Sequence, residues 1–239
     1  IIDYYKPFAS PIANRKLGFI SSDLTRVSGP FDPPVSGESQ MGDLIADAQV
    51  EDPTIQSQGP VQIAFMNPGG IRANLSYAQD LSDGDAEGDG VVTFGEAFTV
   101  QPFNNYDVSL NLTGAQIEQL LEQQFDGTNH INLGASNWKI LQVSKGFSYS
   151  YDSSRPAGDF IDPATITLNG TVLDPGTTYR VECNSFLSDG GDGFGVFAGG
   201  QNKLFGGLDI DALALYLGNH TSASAPYVAP ALTRITRTG

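Results

Sequence analysis

Residues 179–195 read YRVECNSFLSDGGDGFG, a strand-forming run that breaks into a segment with four glycines, two aspartates and Phe186. Glycines cluster where the backbone takes a positive φ or where another group must come close to it. The bare stretch at 188–193 is therefore either a tight surface turn or a loop stripped to admit a ligand. The rest of the chain weighs between the two.

At 239 residues, 40% hydrophobic and 16% charged, the chain is long enough for one large domain with a developed core, or for two small ones. Its 27 acidic residues against 12 basic ones give a net charge of −15. Nucleic-acid binding needs a basic stripe, which such a chain lacks. A small anionic ligand stays open, because one or two placed arginines suffice locally. No apolar run approaches the ~20 residues of a membrane span. Cys183 is the lone cysteine, so no internal disulfide forms, and His130 and His220 are too few and too far apart in sequence for a His-rich metal centre. The opening IIDYYKPFAS carries no signal-peptide pattern and reads as the interior of a longer or processed polypeptide.

Residues 1–36 read as an irregular, proline-rich lead-in or interdomain linker, and 37–239 as the domain proper. Met41, Leu44, Ile45 and Ala48 recur at the spacing of one helix face. VQIAFM (61–66) is a short strand running into the turn NPGG, and Thr93 caps a short helix that ends before QPF. Val108, Leu110 and Leu112 alternate as a half-buried strand; Thr113 and Gln116 then form a capping box for a helix whose buried stripe is Ile117, Leu120 and Leu121. Two strands flank Lys145-Gly146, Asn169-Gly170 signals a hairpin, and LDIDALALYLG is a last amphipathic helix stopped by Gly218. Strands and helices mix without regular alternation, which predicts a single α+β domain with a mixed β-sheet and flanking helices.

Four loops carry chemistry: Asn67 to Arg72, Gln101 to Asn105, Lys145-Gly146, and Phe186 to Phe194. They offer two aromatic faces, amides, an arginine, an aspartate and exposed backbone. Aromatic pairs sandwich a flat base at ~1–3 kcal/mol per base. A carboxylate accepts hydrogen bonds from a diol, and an arginine forks onto a phosphate. The inventory suits a nucleotide, although Phe103 and Phe186, taken singly, read more readily as core residues.

GESQMGDLIADAQ (37–49), FMNPGGIR (65–72), TFGEAFTVQPFNN (93–105), LTGAQIEQLLEQQF (112–125), LQVSKGFSY (141–149) and YRVECNSFLSDGGDGFG occur in that order. The set resembles the C-terminal domain of the secreted and periplasmic 5′-nucleotidases, the bifunctional nucleotidase and nucleotide-sugar hydrolase family, over roughly residues 15 to 236. The resemblance implies a nucleoside- or nucleotide-binding specificity domain whose partner is an N-terminal metallophosphatase domain holding a dinuclear divalent metal site. By motif position it puts Phe103 and Phe186 on the two faces of the base, Asn67 and Asn105 on polar edges of the nucleoside, and Asp192 on the ribose hydroxyls. It puts Arg72 on the phosphate, with the turn at Gly70 and the bare backbone of Gly146 close to the ligand. A periplasmic or secreted location and a role in hydrolysing nucleotide phosphate esters go with it. The family's metal motifs (Asp-x-His, Gly-Asp-x-x-Asp, Asn-His-Glu, Gly-His-x-His) are missing, so this chain alone is expected to be catalytically inactive. Where the family has an arginine before Glu-x-x-Met-Gly, this sequence has Gly37, leaving phosphate binding to Arg72 with Arg26 as a substitute.

One insertion stands outside that pattern. Asp85, Glu87, Asp89, Val91, Thr93 and Glu96 fall at positions 1, 3, 5, 7, 9 and 12 of a calcium loop, with Gly90 at 6. The alternative reading is therefore a calcium-binding interaction or adhesion module; a solvated acidic loop fits the same residues. A third possibility, a structural domain that has lost its ligand, is opposed by the retention of both aromatics and Asp192.

Overall fold

The computed structural model describes residues 2–27, 36–79, 87–129 and 138–239. In chain order the elements are α1 (Ile2–Ala13), β1 (Lys16–Phe19), α2 (Gln40–Val50), α3 (Pro53–Gln56), β2 (Ile63–Met66), β3 (Val91–Thr93), α4 (Phe94–Val100), β4 (Tyr106–Thr113), α5 (Gly114–Glu122) and β5 (Gln142–Val143). There follow β6 (Phe147–Tyr151), β7 (Thr167–Leu168), β8 (Thr171–Val172), β9 (Thr178–Asn184), α6 (Ser185–Ser188), α7 (Gly195–Ala198), β10 (Gln201–Leu208), α8 (Asp209–His220) and β11 (Ile235–Arg237). The main sheet runs β10-β4-β9-β2-β5 and is mixed, since β2 lies parallel to β9 while the other pairs are antiparallel. A four-stranded sheet β11-β6-β7-β8 and the β1-β3 pair complete an α+β architecture.

Two apolar layers sandwich the main sheet. On one side Val108, Leu110 and Leu112 of β4 and Val181 and Cys183 of β9 meet Ile117, Leu120 and Leu121 of α5 and the aromatics of β6. On the other, Met41, Leu44, Ile45 and Ala48 of α2 meet Leu213 and Leu217 of α8 and Ala97 and Val100 of α4. The expected capping box of Thr113 with Gln116 forms, and Thr93, expected as an N-cap, makes a second one with Glu96. Asn169 and Gly170, at φ 51° and 75°, make the tight turn between β7 and β8.

Three expectations need correction. The lead-in is not irregular where it is described: residues 2–13 are helical despite Pro7 and Pro11, and Ile20 and Leu24 are buried core. Arg15 lies over the Phe94 ring at 5.0 Å, so packing on α4 holds a segment whose prolines speak against helix. The rest of that run, 28–35, lies outside the described residues. Helix α8 does not stop at Gly218 but continues to His220, where Thr221 closes it by donating from its backbone N–H to Leu217 O. Strand β4 is more than half-buried, because Asp107 and Ser109 on its polar face are covered as fully as Val108, Leu110 and Leu112, while Asn111 and Thr113 are only partly covered.

That covered polar face sets the pH response of the fold. Asp107 and Glu182, on paired strands, are both fully buried, and the amide of Gln49 donates to Asp107 Oδ1 at 3.2 Å. Burial, then the charges of Asp107 and Asp52, holds Glu182 well above the usual carboxylate range. Burial, then Asp209, does the same to Asp107, and burial lifts Asp209 to about 6. An acid whose folded-state pKa lies above its unfolded value keeps its proton in the fold. Its contribution to stability is therefore full below the unfolded value near ~4 and is lost as pH rises through the window above it. Each such group costs up to ~1.4 kcal/mol per pH unit in that window. The urea midpoint should fall between about pH 5 and pH 8, and Glu182→Gln, which keeps the neutral form at every pH, should flatten that fall. A native midpoint that rises with pH would contradict this.

Candidate functional site: an aromatic-walled pocket

The pocket forms where four chain segments meet: those that follow β2 and β9, the α4–β4 loop, and the stretch at Lys139 just before β5. Strand β2 is followed at once by Asn67, whose extended backbone passes into a 3₁₀ turn at Pro68–Gly70. Strand β9 ends in Asn184, which caps α6 by accepting from Leu187 N–H at 2.9 Å. That bond makes Asn184 Oδ1 the acceptor, so its Nδ2 donates to Asn67 Oδ1 at 2.9 Å. Asn67 Nδ2 in turn donates to Asp192 Oδ2 at 2.8 Å. The direction of each amide is thus fixed by the one behind it.

Asp192 sits in the left-handed region at φ 55°, ψ 18°, a conformation unusual for a residue with a side chain. Backbone strain of this kind persists where the surroundings over-determine it. Here Asn67 holds the carboxylate, while Asn129 Nδ2 donates to the Asp192 carbonyl at 2.8 Å. The glycines beside it are bared for a specific neighbour: a Cβ on Gly191 would lie 2.5 Å from the Phe186 ring. The ring lies against the glycine loop only because that position carries no side chain.

Phe186 and Phe103 are 47% and 54% exposed, so neither is a core residue. Phe103 follows α4 in the loop 101–105, where Asn104 at φ 53° turns the chain. The Arg72 guanidinium lies over the Phe103 ring at 5.8 Å and donates to Gly69 O at 3.2 Å. A cavity of about 580 Å³ is lined by Asn67, Gly69, Gly70, Arg72, Phe103, Asn105, Lys139, Phe186 and Asp192. That volume lies within the ~300–1,000 Å³ of small-molecule sites.

Of the residues singled out in the sequence, Asn67, Gly70, Arg72, Phe103, Asn105, Phe186 and Asp192 meet in this one cavity. Asn67 is buried and spends its amide on Asn184 and Asp192, so its first task is to position the carboxylate. Asn105 is backed by Asp209 at 3.4 Å. Gly146 is not among the lining residues; a Cβ there would lie 2.5 Å from Asn169 Oδ1, and its bareness serves the packing of two turns. Gly37 has φ 84°, a conformation that an arginine would adopt only with strain. Arg26 donates to Ile71 O at 3.3 Å, beside Arg72 but outside the cavity lining. Lys139, Asn184 and Asn129 were not legible from motif or periodicity, though an asparagine ending a strand before a short helix is a capping signal.

The calcium reading is not carried by the geometry. Glu96 Oε2 accepts from Thr93 N–H at 2.8 Å and from Thr93 Oγ1 at 2.9 Å, which gives both residues a capping use. Val91 belongs to β3, Asp89 accepts from Gln79 N–H at 3.3 Å, the Glu87 carbonyl accepts from Lys16 Nζ, and Asp85 lies outside the described residues. Among the described residues no group of three or more His, Cys, Asp or Glu side chains is disposed to hold a metal ion. His130 lies outside them. The residues described therefore do not fit a dinuclear centre.

Residues 18–199 match the family described as 5′-nucleotidase, C-terminal domain. The chain belongs to that family. A cell wall protein of Listeria monocytogenes, Lmo0130, is 31% identical over 189 residues, 78% of this chain and 22% of that protein. The trifunctional nucleotide phosphoesterase YfkN of Bacillus subtilis is 29% identical over 82% of this chain and 12% of its own length. Among solved structures, the 5′-nucleotidase precursor of Thermus thermophilus superposes with a TM-score of 0.72 at 26% identity, covering 99% of this chain and 42% of that one. This 5′-nucleotidase C-terminal domain thus spans less than half the length of each of these relatives. No helix among its described residues is long and apolar enough to cross a membrane.

Proposed function

We propose that this domain binds the nucleoside part of a nucleotide for a 5′-nucleotidase-type hydrolase. The base stacks between Phe103 and Phe186, the ribose diol donates to Asp192, Arg72 takes the phosphate, and Asn105 meets a polar edge of the nucleoside. Bond cleavage belongs to a metallophosphatase domain elsewhere in the same polypeptide, with its metal ions activating water; the domain by itself turns over no substrate. A periplasmic or secreted setting fits, given that one relative is a cell wall protein. The observation that carries the reading is that two half-exposed phenylalanines and a pre-set carboxylate line the same cavity.

Asp192 provides the test. A hydrogen bond to a charged group is worth ~1.5–3 kcal/mol, so Asp192→Ala should weaken adenosine binding roughly tenfold or more in calorimetry. It should leave 2′,3′-dideoxyadenosine, which has no diol, nearly unchanged. Equal losses for the two ligands would remove the ribose from Asp192.

A further inference from the structure

Lys139 belongs to no motif, yet it lines the cavity. Its neighbours Trp138 and Ile140 are both buried in the core, Trp138 edge-on to Phe125 at 5.2 Å, so the side chain between them is turned out of it. The backbone there is fixed: Lys139 N–H donates to Gln124 O at 3.1 Å, and the Gln124 side chain accepts from Leu141 N–H at 2.7 Å. The adjoining Gln123 carbonyl accepts from Asn129, the residue that holds the Asp192 backbone. Lys139 and Asp192 therefore hang from one scaffold. Among the described residues the Lys139 ammonium has neither a hydrogen-bond nor an ion-pair partner.

The charge count gives this ammonium a task. Arg72 and Asp192 cancel within the cavity, and the chain around them carries a net charge of −15. With Arg72 as its only cation, the pocket would be neutral in a field that repels anions. We infer that Lys139 is the second cation for the ligand's phosphate, and that it makes the pocket prefer a nucleoside monophosphate over the nucleoside. The inference rests on the nucleotide reading above. A phosphate dianion is the group that gains most from a compact ammonium on a flexible four-carbon stem, whereas a neutral hydroxyl gains one ordinary hydrogen bond.

The experiment titrates native protein, Lys139→Ala and Lys139→Arg with adenosine and with adenosine 5′-monophosphate, each at low and high salt. Lys139→Ala should weaken the monophosphate about tenfold, the equivalent of ~1.4 kcal/mol, and adenosine less than about twofold. The loss should shrink as salt rises, because a partly exposed ion pair is screened. Lys139→Arg should retain most of the preference, which a purely structural role would not predict. Equal weakening of both ligands, or of neither, would overturn the assignment. A native protein that binds adenosine without preferring the monophosphate would also overturn it, while leaving the pocket's nucleoside reading intact. A native protein that binds neither ligand would bring down that reading and this one with it.

Discussion

Phe186→Ala is expected to weaken adenosine binding by ~1–3 kcal/mol, the measured worth of one aromatic face against a base. That is a loss of between about fivefold and 150-fold in the dissociation constant. Stacking is tolerant of base identity, so adenosine, guanosine and cytidine should all lose affinity. The ring is half exposed and lies on a glycine loop, so its removal opens no core cavity and should leave stability within ~0.5 kcal/mol of native. Phe103→Ala should behave alike in kind. It also removes the surface over which the Arg72 guanidinium lies, and should therefore cost the monophosphate more than the nucleoside. If calorimetry found both variants binding adenosine like native protein, the rings would have no part in a clamp.

Arg234→Ala is expected to cost ~3–5 kcal/mol of stability, the usual result of stripping one partner from a buried ion pair. Arg234 grips Asp47 bidentately at 2.7 and 2.9 Å, donates to Val143 O at 2.8 Å and lies 3.5 Å from Asp43. Glu38 accepts from the backbone N–H groups of Thr233, Arg234 and Ile235, so this one region ties the C-terminal strand β11 to helix α2. Without the guanidinium, Asp43 and Asp47 would face each other with no counter-charge. Asp43 already has a pKa raised to about 8, by burial first, with Arg234 pulling the other way. Removal of Arg234 should therefore hurt most at alkaline pH, where Asp43 is forced to ionise. Arg234→Lys should recover only part of the loss, since an ammonium cannot fork onto a carboxylate. Stability within about 1 kcal/mol of native for Arg234→Ala would contradict this account of the core.

Sequence periodicity read the apolar skeleton well because burial alone dictates it. Met41, Leu44, Ile45 and Ala48 had to share a face, and they do. Local hydrogen-bonding patterns were equally legible, as with the Thr113–Gln116 capping box, the Thr93 N-cap and the Asn169-Gly170 turn. The Thr93–Glu96 capping box shows the limit of spacing as a guide. Thr93 and Glu96 matched a cation loop in number, yet a hydrogen bond between neighbours three positions apart was available to them and used them. Tertiary effects left no periodic trace. Nothing in WKI says that Lys139 emerges beside a cavity, because that depends on where Gln124 presents its carbonyl. Nor did motif position reveal the local reason for Gly146's bareness, which is a φ of 90° and an Asn169 Oδ1 that a Cβ would meet at 2.5 Å. The buried Asp107–Glu182 layer was hidden for a related reason: polar residues alternating with Val108 and Leu110 look solvent-facing until a second layer covers them.

On the proposed function, this cavity takes a nucleoside with its base between Phe103 and Phe186. A crystal structure of the protein with adenosine tests it most directly. The adenine ring should lie sandwiched by the two phenylalanines, within the ~3.5–4 Å of van der Waals contact. Both ribose hydroxyls should come within hydrogen-bond reach of Asp192, whose Oδ2 still accepts from Asn67. Adenosine bound elsewhere, or bound in the cavity with either ring turned away from the base, would contradict it.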